Sequence, residues 1–554
     1  MLLLSGEEAR QASEALLADC EGPPAVTCVD LGGQGGLDVL ALASPERAVL
    51  IDASSVAGLQ DLWRRPRPFA AYDAKAVHRT LLRHGGAAPE RWGCVRLSAQ
   101  LLAGGRPLDL DLAAQAAAHG LAPLPPPTAG LAALAAHACG IAALVRQQAQ
   151  ALQRADLRQV SRLEAAAVAP IAEMEQAGMP FRTDSWRQLA ATCAEQRAAL
   201  GRRLAHLLDL PAHHDLFGEA VNQLDDAERL RQALERAGHP VANLRRRTLA
   251  ALPAPLGPAL AEFRQLSLLV SSYGTTFLQH VGSDGRVHST FEQIGASTGR
   301  MACHAPNLQA MVKGTPHRAC FAPAAERRLV VADYAACELR ILAQVSQDPV
   351  FLAAFRDGVD LHAQVAARLY GRPVSRSEAP ELRQIAKVVS FGLAYGMGAG
   401  GLAQTLGLRR DRAQALLEQY FRTFPRIRAY LEEAADQALQ RGFAATLSGR
   451  RLYFAPDSQG AEREQMRRIA KNMPIQGTNA DMIKLALADL RRRLQPLARA
   501  QIVHCIHDEL LVECQADDAE AVQAALTAAM VAAGRSLLPD VPIGVDCRIA
   551  TAWG

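Results

Sequence analysis

Three short stretches of this chain hold residues whose types and spacing could do chemistry. The first is Arg328-Leu-Val-Val-Ala-Asp333-Tyr-Ala-Ala-Cys-Glu338-Leu-Arg340. Its apolar run reads as a buried strand that ends at an aspartate, after which a helical pattern begins. A carboxylate at a strand end suits a hard cation such as Mg2+. It equally suits capping of the helix that follows. The second stretch, Gln501-Ile-Val-His-Cys-Ile-His507-Asp508-Glu509-Leu-Leu-Val-Glu513, sets three polar residues between two apolar runs. That pattern reads as a hairpin with acids at its tip, although ordinary polar turns share the composition. Two acids from separate strands could together hold a metal pair. Such a pair can activate a 3′-hydroxyl and stabilise a leaving pyrophosphate in an in-line displacement.

The third stretch is Arg383-Gln-Ile-Ala-Lys387-Val-Val-Ser-Phe391-Gly-Leu-Ala-Tyr395-Gly. Arg383, Lys387, Phe391 and Tyr395 recur every four residues, which puts them on one face of a helix. Arg383 to Phe391 spans about 12 Å at 1.5 Å per residue. A nucleoside triphosphate laid along the helix would meet cations at its phosphates and aromatics at its sugar and base. An amphipathic helix with a mixed face is the plainer alternative.

These stretches need elements to position them. The 554 residues suffice for several domains, and 49% hydrophobic with 21% charged residues is a globular composition. A net charge of +4 permits a nucleic-acid partner without demanding one. No apolar run is long enough to span a bilayer, and the N-terminus reads as no export signal. The 11 cysteines, with no CxxC pair, fit reduced thiols in a cytosolic compartment better than a disulfide or zinc framework. Residues 1–155 alternate strand-like and helical runs: strands at Ala25–Asp30, Leu37–Ala43 and Ala48–Ile51, helices at Val56–Arg64 and Ala74–Arg83. That is the pattern of an α/β domain. Pro123–Pro127 marks a stiff break before an alanine-rich helix. Residues from about 156 to 290 read as helical, and strands return after 290. The runs Arg245–Arg247 and Arg491–Arg493 are either phosphate contacts or solvated faces.

In this order and spacing, the three stretches resemble the motifs of family A DNA polymerases, the group of bacterial DNA polymerase I. The resemblance covers residue 156 to the C-terminus. Thr298-Gly299-Arg300 with Pro306-Asn307-Leu308-Gln309 resembles the primer-template segment. Asp360-Leu-His362, Thr446-Leu-Ser-Gly-Arg450-Arg451 and Arg468-x3-Asn472-x3-Gln476 add further matches. The resemblance implies a multidomain α/β fold with a right-hand polymerase after an RNase H-like exonuclease-type domain. The boundaries are 1–155 for that domain, 156–290 for the thumb, 291–345 with 430–554 for the palm, and 346–429 for the fingers.

It further implies catalysis by Asp333, Asp508, Lys387 and Glu509. Asp333 and Asp508 hold two Mg2+ ions, for which Mn2+ can substitute. Arg383, Lys387, Phe391, Tyr395, His362 and Glu338 contact the incoming deoxynucleoside triphosphate. Arg300, Asn307, Gln309, Arg468, Asn472, Gln476 and His507 contact primer-template DNA, some of them reading minor-groove acceptors common to every correct pair. Glu338 excludes a 2′-hydroxyl, and Phe391 in place of tyrosine disfavours dideoxynucleotides. A monomer without membrane contact is expected, in a bacterial or phage-infected cytoplasm at the nucleoid, serving replication, repair or lesion bypass. Ala335-Ala336-Cys337 departs from the usual Ser-Gln-Ile, and Met301-Ala-Cys-His304-Ala departs from a serine-rich segment. Altered fidelity is the expected consequence.

Residues 1–155 resemble the 3′–5′ exonuclease domain more weakly. Its Asp-x-Glu becomes Asp30-Leu-Gly32. Its Asn-x3-Asp aligns with Asp73–Val77, its Tyr-x3-Asp with Ala135–Cys139, and Arg96 stands where Asp-Thr is usual. Too few acids remain for two metals, so proofreading is expected to be absent. A preceding 5′-nuclease domain is also not expected. Single-subunit RNA polymerases share the fold but need room where Glu338 stands. A catalytically dead DNA-binding scaffold is opposed by Asp333, Asp508, Lys387 and Arg383.

Overall fold

The computed structural model describes residues 3–29, 38–210, 223–311, 313–394, 396–455 and 459–554, and no side chain for Gln223 or Arg247. Asp30, Gly32 and Tyr395, all singled out in the sequence, lie outside the described residues. The chain is a multidomain mixture of helices and sheets that separates into two compact units. One comprises residues 1–178, 289–309 and 326–550, and the other 179–288, 310–325 and 551–554.

The first unit contains two sheets. Its N-terminal sheet has six strands in the order Leu3–Leu4, Ala48–Asp52, Val39–Ala43, Ala25–Val29, Phe69–Ala71, Trp92–Cys94. The hydrophobic runs at 25, 39 and 48 form antiparallel neighbours, with Val29 opposite Val39 and Leu40 opposite Ile51. The last three strands in that order run parallel. Helix Ala74–Gly85 forms where its pattern predicts, with Asp73 as N-cap and Gly86 at φ +68° as C-cap. The expected helix Val56–Arg64 is instead a 3-10 segment, Ala53–Leu59, followed by one α-turn, Gln60–Trp63. Two serines and Gly58 give this stretch poor α-helical propensity, and Asp52 caps its start by accepting from Ser54 N at 2.9 Å.

Helix Leu131–Arg154 begins after the proline break, and Arg158–Ala177 leads into the remainder of the unit. There a four-stranded antiparallel sheet runs in the order Gln501–Ile506, Glu509–Gln515, Arg327–Tyr334, Val545–Ala550. The 35-residue helix Gly460–Leu494 packs against helices Ala519–Leu537 and Arg158–Ala177.

The N-terminal sheet region is joined to the rest of this unit by specific contacts. Tyr453 N donates to Gly104 O at 2.8 Å. Gly104, at φ +51°, has space for no side chain: a Cβ would sit 2.5 Å from the Tyr453 ring. Glu175 accepts from Lys75 Nζ at 2.6 Å, Arg79 Nη1 at 2.7 Å and the backbone N–H of Phe291 at 2.7 Å.

The second unit is built on helices Thr183–Leu207, Ala227–Arg236 and Leu256–Tyr273, which bury Leu204, Leu230, Leu234, Leu260 and Phe263 together. Trp186 stacks on Phe277 with ring centroids 4.4 Å apart, and its indole donates to Gly274 O at 3.1 Å. No described helix is long and apolar enough to cross a membrane.

Candidate active site

Asp333 is the penultimate residue of strand Arg327–Tyr334, which is hydrogen-bonded on both sides and buried from Leu329 to Ala332. Register sets Asp333 opposite Glu509 on one neighbour and Asp546 on the other. Asp508 lies in the two-residue turn between Ile506 and Glu509, which face each other across the hairpin. His507 makes this tight turn possible by adopting φ +51°, a conformation histidine tolerates better than most side chains. Tyr334 N donates to Asp508 O at 3.3 Å, tying the hairpin tip to the end of the central strand. The Tyr334 hydroxyl donates to Met530 O at 2.7 Å and anchors that end from below.

The two aspartates therefore share one place, and their electrostatics reflect it. Burial first, then the charges of Asp333 and Glu338, push the Asp508 carboxyl up to about 7. The donor set suits a hard divalent cation: carboxylate oxygens in a half-buried spot where burial and like charge together hold a proton near neutrality. No group of three or more His, Cys, Asp and Glu at metal-holding spacing exists among the described residues. Two carboxylates fit Mg2+, which commonly keeps water and substrate oxygens in its remaining positions.

The cation–aromatic face forms on helix Pro380–Ala394. Arg383 Nε donates to Asp360 Oδ2 at 2.7 Å. Asp360 is also the N-cap of helix Leu361–Tyr370 and accepts from His362 N at 3.0 Å. The His362 ring lies 5.6 Å from the Phe391 ring, and Lys387 Nζ lies 6.0 Å from the same ring. Burial, then Arg383, lower His362 to about 4, and its buried Nδ1 has no partner. Arg383, Lys387, Phe391 and His362 thus converge. Asp360, which positions Arg383, was legible only as part of the Asp360-Leu-His362 match, not as a partner of Arg383.

Arg300 Nη2 lies 3.3 Å from Glu338 Oε1, linking the Thr298-Gly299-Arg300 segment to the helix that follows Asp333. A buried charge cluster supports that segment. Lys484 Nζ donates to Gly299 O at 2.8 Å and to Glu164 Oε1 at 2.5 Å. Arg450 bridges Glu164 and Asp481, reaching Asp481 Oδ1 at 2.7 Å through Nη2. Burial opposes ionisation of Glu164, but Lys484 and Arg450 outweigh it and hold the carboxyl below its usual range. Burial also depresses Lys484 to about 8. Of this cluster, the sequence had pointed only to Arg450.

Arg468, Asn472 and Gln476 lie at four-residue intervals on helix Gly460–Leu494, and the buried Oδ1 of Asn472 has no partner. Gln309 Nε2 donates to Cys505 O at 3.2 Å, while Asn307 is exposed. Ala336 caps helix Cys337–Ser346 at φ +53°, and Cys337 Sγ donates to Asn479 Oδ1 at 3.1 Å. The Met301–Ala305 segment contains strand Ala302–His304, paired with Thr290–Glu292. Arg491 is engaged by Glu173 at 2.9 Å, and Arg492 and Arg493 by Asp489 at 2.7 and 2.9 Å.

At the N-terminal sheet the aligned acid behaves differently. Asp73 caps helix Ala74–Gly85 and pairs with Arg96 Nη1 at 2.7 Å. Cys139, which aligns with the acid of Tyr-x3-Asp, packs against the cluster of Val29, Val39 and Leu50, so a thiol stands at that place.

Comparison with known proteins extends these observations. Residues 222–554 match the family described as DNA polymerase family A. DNA polymerase I of Chloroflexus aurantiacus is 37% identical over 306 residues, 54% of this chain and 32% of that protein. The thermostable DNA polymerase I of Thermus aquaticus is 34% identical over 403 residues, 70% of this chain and 47% of that one. The matches therefore span less than half the length of these relatives. A solved structure, the POL domain of Pol1 from M. smegmatis in complex with DNA primer-template and dNTP, superposes with a TM-score of 0.82 at 28% identity. It covers 100% of this chain and 99% of the other.

Proposed function

The chain belongs to DNA polymerase family A, and we propose that it extends the 3′ end of a DNA primer along a template, using deoxynucleoside triphosphates and without proofreading. The observation that carries this reading is the pairing of Asp333 and Asp508 at one strand end, with Asp508 pushed up to about 7 by burial and by the neighbouring charges of Asp333 and Glu338. On this reading residues 291–345 and 430–554 are the palm, 346–429 the fingers and 156–290 the thumb. Residues 1–155 are an exonuclease-like support. The working place is the cytoplasm, at the nucleoid, and the working form a monomer.

Asp333 and Asp508 would hold two Mg2+ ions, which supply charge neutralisation at the α-phosphate and activation of the 3′-hydroxyl. The primer O3′ bonds to the α-phosphorus as the bond to pyrophosphate breaks, and the hydroxyl proton leaves to solvent. Arg383 and His362 clamp the phosphate tail, and Lys387 gives pyrophosphate a proton. Asp360 keeps the Arg383 guanidinium aimed before substrate arrives. Phe391 and Tyr395 pack on sugar and base. Glu338, fixed by Arg300, fills the space a 2′-hydroxyl would need. Glu509 buttresses Asp333 from the adjacent strand. Arg300, Asn307, Gln309, Arg468, Asn472, Gln476 and His507 hold the primer-template, mostly through groove acceptors and phosphates.

Extension of a labelled primer on a defined template tests this, with dNTPs and rNTPs in parallel and Asp508→Ala as control. Elongation by the parent with dNTPs alone is expected. No elongation by folded protein, or equal use of rNTPs, overturns the reading.

A further inference from the structure

A cleft of about 900 Å3 opens beside the N-terminal sheet, remote in the fold from Asp73. Pro68 and Arg91 line it and immediately precede the parallel strands Phe69–Ala71 and Trp92–Cys94. Asp73 and Arg96 follow those same strands, so the cleft lies at the opposite end of the sheet from the exonuclease-like position. Its walls are two successive helices. Leu131–Arg154 contributes Arg146 and Gln150, one turn apart, and Arg158–Ala177 contributes Arg158, Ser161 and Arg162.

Four arginines, Arg91, Arg146, Arg158 and Arg162, line this cleft, and no carboxylate does. All four are exposed, and no ion pair or side-chain hydrogen bond engages any of them among the described residues. Elsewhere in the same unit arginines are routinely paired, as Arg79, Arg96, Arg450 and Arg491 are. Two of the four sit in the first turns of a helix whose N-cap, Leu157, makes no side-chain capping bond and whose first turn has no acid. Positive charge there opposes the helix dipole and crowds like charges at i and i+4. An anion resolves both costs. Ser161 and Gln150 add neutral donors of the kind that contact phosphate.

We propose that this cleft binds the phosphodiester backbone of a single DNA strand lying outside the catalytic duplex. Guanidinium groups match phosphate oxygens in bidentate fashion. Trp92 is buried in the floor, leaving no exposed aromatic to stack bases, so the contact is to backbone and indifferent to sequence. A cleft of about 900 Å3 has room for a short run of one strand and not for a turn of duplex. The choice of DNA rests on the function proposed above.

The test uses the full chain with its polymerase site filled by unlabelled, dideoxy-terminated hairpin primer-template and the next dNTP. Fluorescence anisotropy then follows a labelled 30-mer of thymidylate, and a blunt 30-base-pair duplex in a second arm. The parent binds the 30-mer. Arg146→Gln/Arg158→Gln/Arg162→Gln weakens that binding about tenfold or more and flattens the slope of log affinity against log salt by about 2, at roughly 0.7 per phosphate contact. Its thermal transition and single-turnover extension rate stay unchanged. Three results overturn the proposal: no 30-mer binding by the parent, an unchanged slope in the variant, or binding of the duplex alone. Tighter binding of polyglutamate than of the 30-mer at equal charge also overturns it, and marks a dock for acidic peptide. Primer extension with the same preparations separates the outcomes. If extension fails in the parent, the functional reading fails; if extension holds and the 30-mer does not bind, only the cleft does.

Discussion

Asp508 and Asp73 both stand just beyond sheet strands in the same unit, yet the fold treats them oppositely. Asp73 has its cation built in: Arg96 lies at 2.7 Å and a helix N-terminus donates to it. Burial works against charge on Arg96, but Asp73 outweighs it and raises the guanidinium above its usual value. Asp508 is largely buried and set beside Asp333 and Glu338, and rises to about 7. One carboxylate is structurally satisfied; the other is kept in a state that a divalent ion from solution would relieve. The difference teaches that an acid at a strand end becomes a reactive site only when the fold withholds its counter-charge.

The sharpest way to break this comparison is catalytic. Asp508→Asn is expected to lower single-turnover primer extension by about 10³-fold or more, the scale of losing a charge-stabilising group in phosphoryl transfer. Asp73→Ala should leave the same rate within about twofold. Equal losses in both variants would erase the distinction. A second expectation concerns the product end: a primer with a mismatched 3′ terminus keeps its length when incubated with Mg2+ and no dNTP. Shortening that disappears in Asp30→Ala would make the N-terminal region a working nuclease.

Stability should separate the two acids by sign. Asp508 carries a native value near 7 against an ordinary 3.8, so the native state binds the extra proton between those values. Stability is therefore lost as pH rises from about 4 to 7, and the deficit persists above 7. With a chelator present at pH 8, Asp508→Asn should raise the unfolding free energy by on the order of 2 kcal/mol, read by urea denaturation. Asp73→Ala should lower it by about 1 kcal/mol through loss of a helix cap. Smallest is the effect of Ala336→Gly, whose φ of +53° strains a residue beside the acid pair. A gain of about 0.5–1 kcal/mol is expected in the same assay. No gain would mean that the αL turn costs nothing.

The strand ends at Asp333 and Asp508 were legible because continuous apolar runs bounded by polar residues specify buried strands, and strands that must pair bring their ends together. The Arg383–Phe391 face was legible because a four-residue interval maps directly onto a helix surface. Membership of the family was legible from the order of these motifs. The charge cluster was not. Glu164 lies 286 residues from Arg450 and 320 from Lys484, and each sits in an ordinary helical or turn pattern until the chain closes. Asp360 was read as part of a motif but not as the holder of Arg383, because a contact 23 residues away leaves no periodic trace. The Val56–Arg64 stretch has helical apolar spacing, but the two serines and Gly58 favour the tighter turn that forms there.

The seam at Gly104 bears on inheritance. Any side chain there would enter the Tyr453 ring, and one at Gly105 would run into Leu452. Substitution is therefore barred at this footing, because no side chain fits there. Cutting the chain near residue 155 would strip Tyr453 of its backbone partner and leave Glu175 without Lys75 and Arg79. Calorimetry should accordingly record one heat-absorption peak for the N-terminal sheet and the Asp333 sheet together. The N-terminal sheet region is thus half of another sheet's foundation, whatever chemistry its own surface performs.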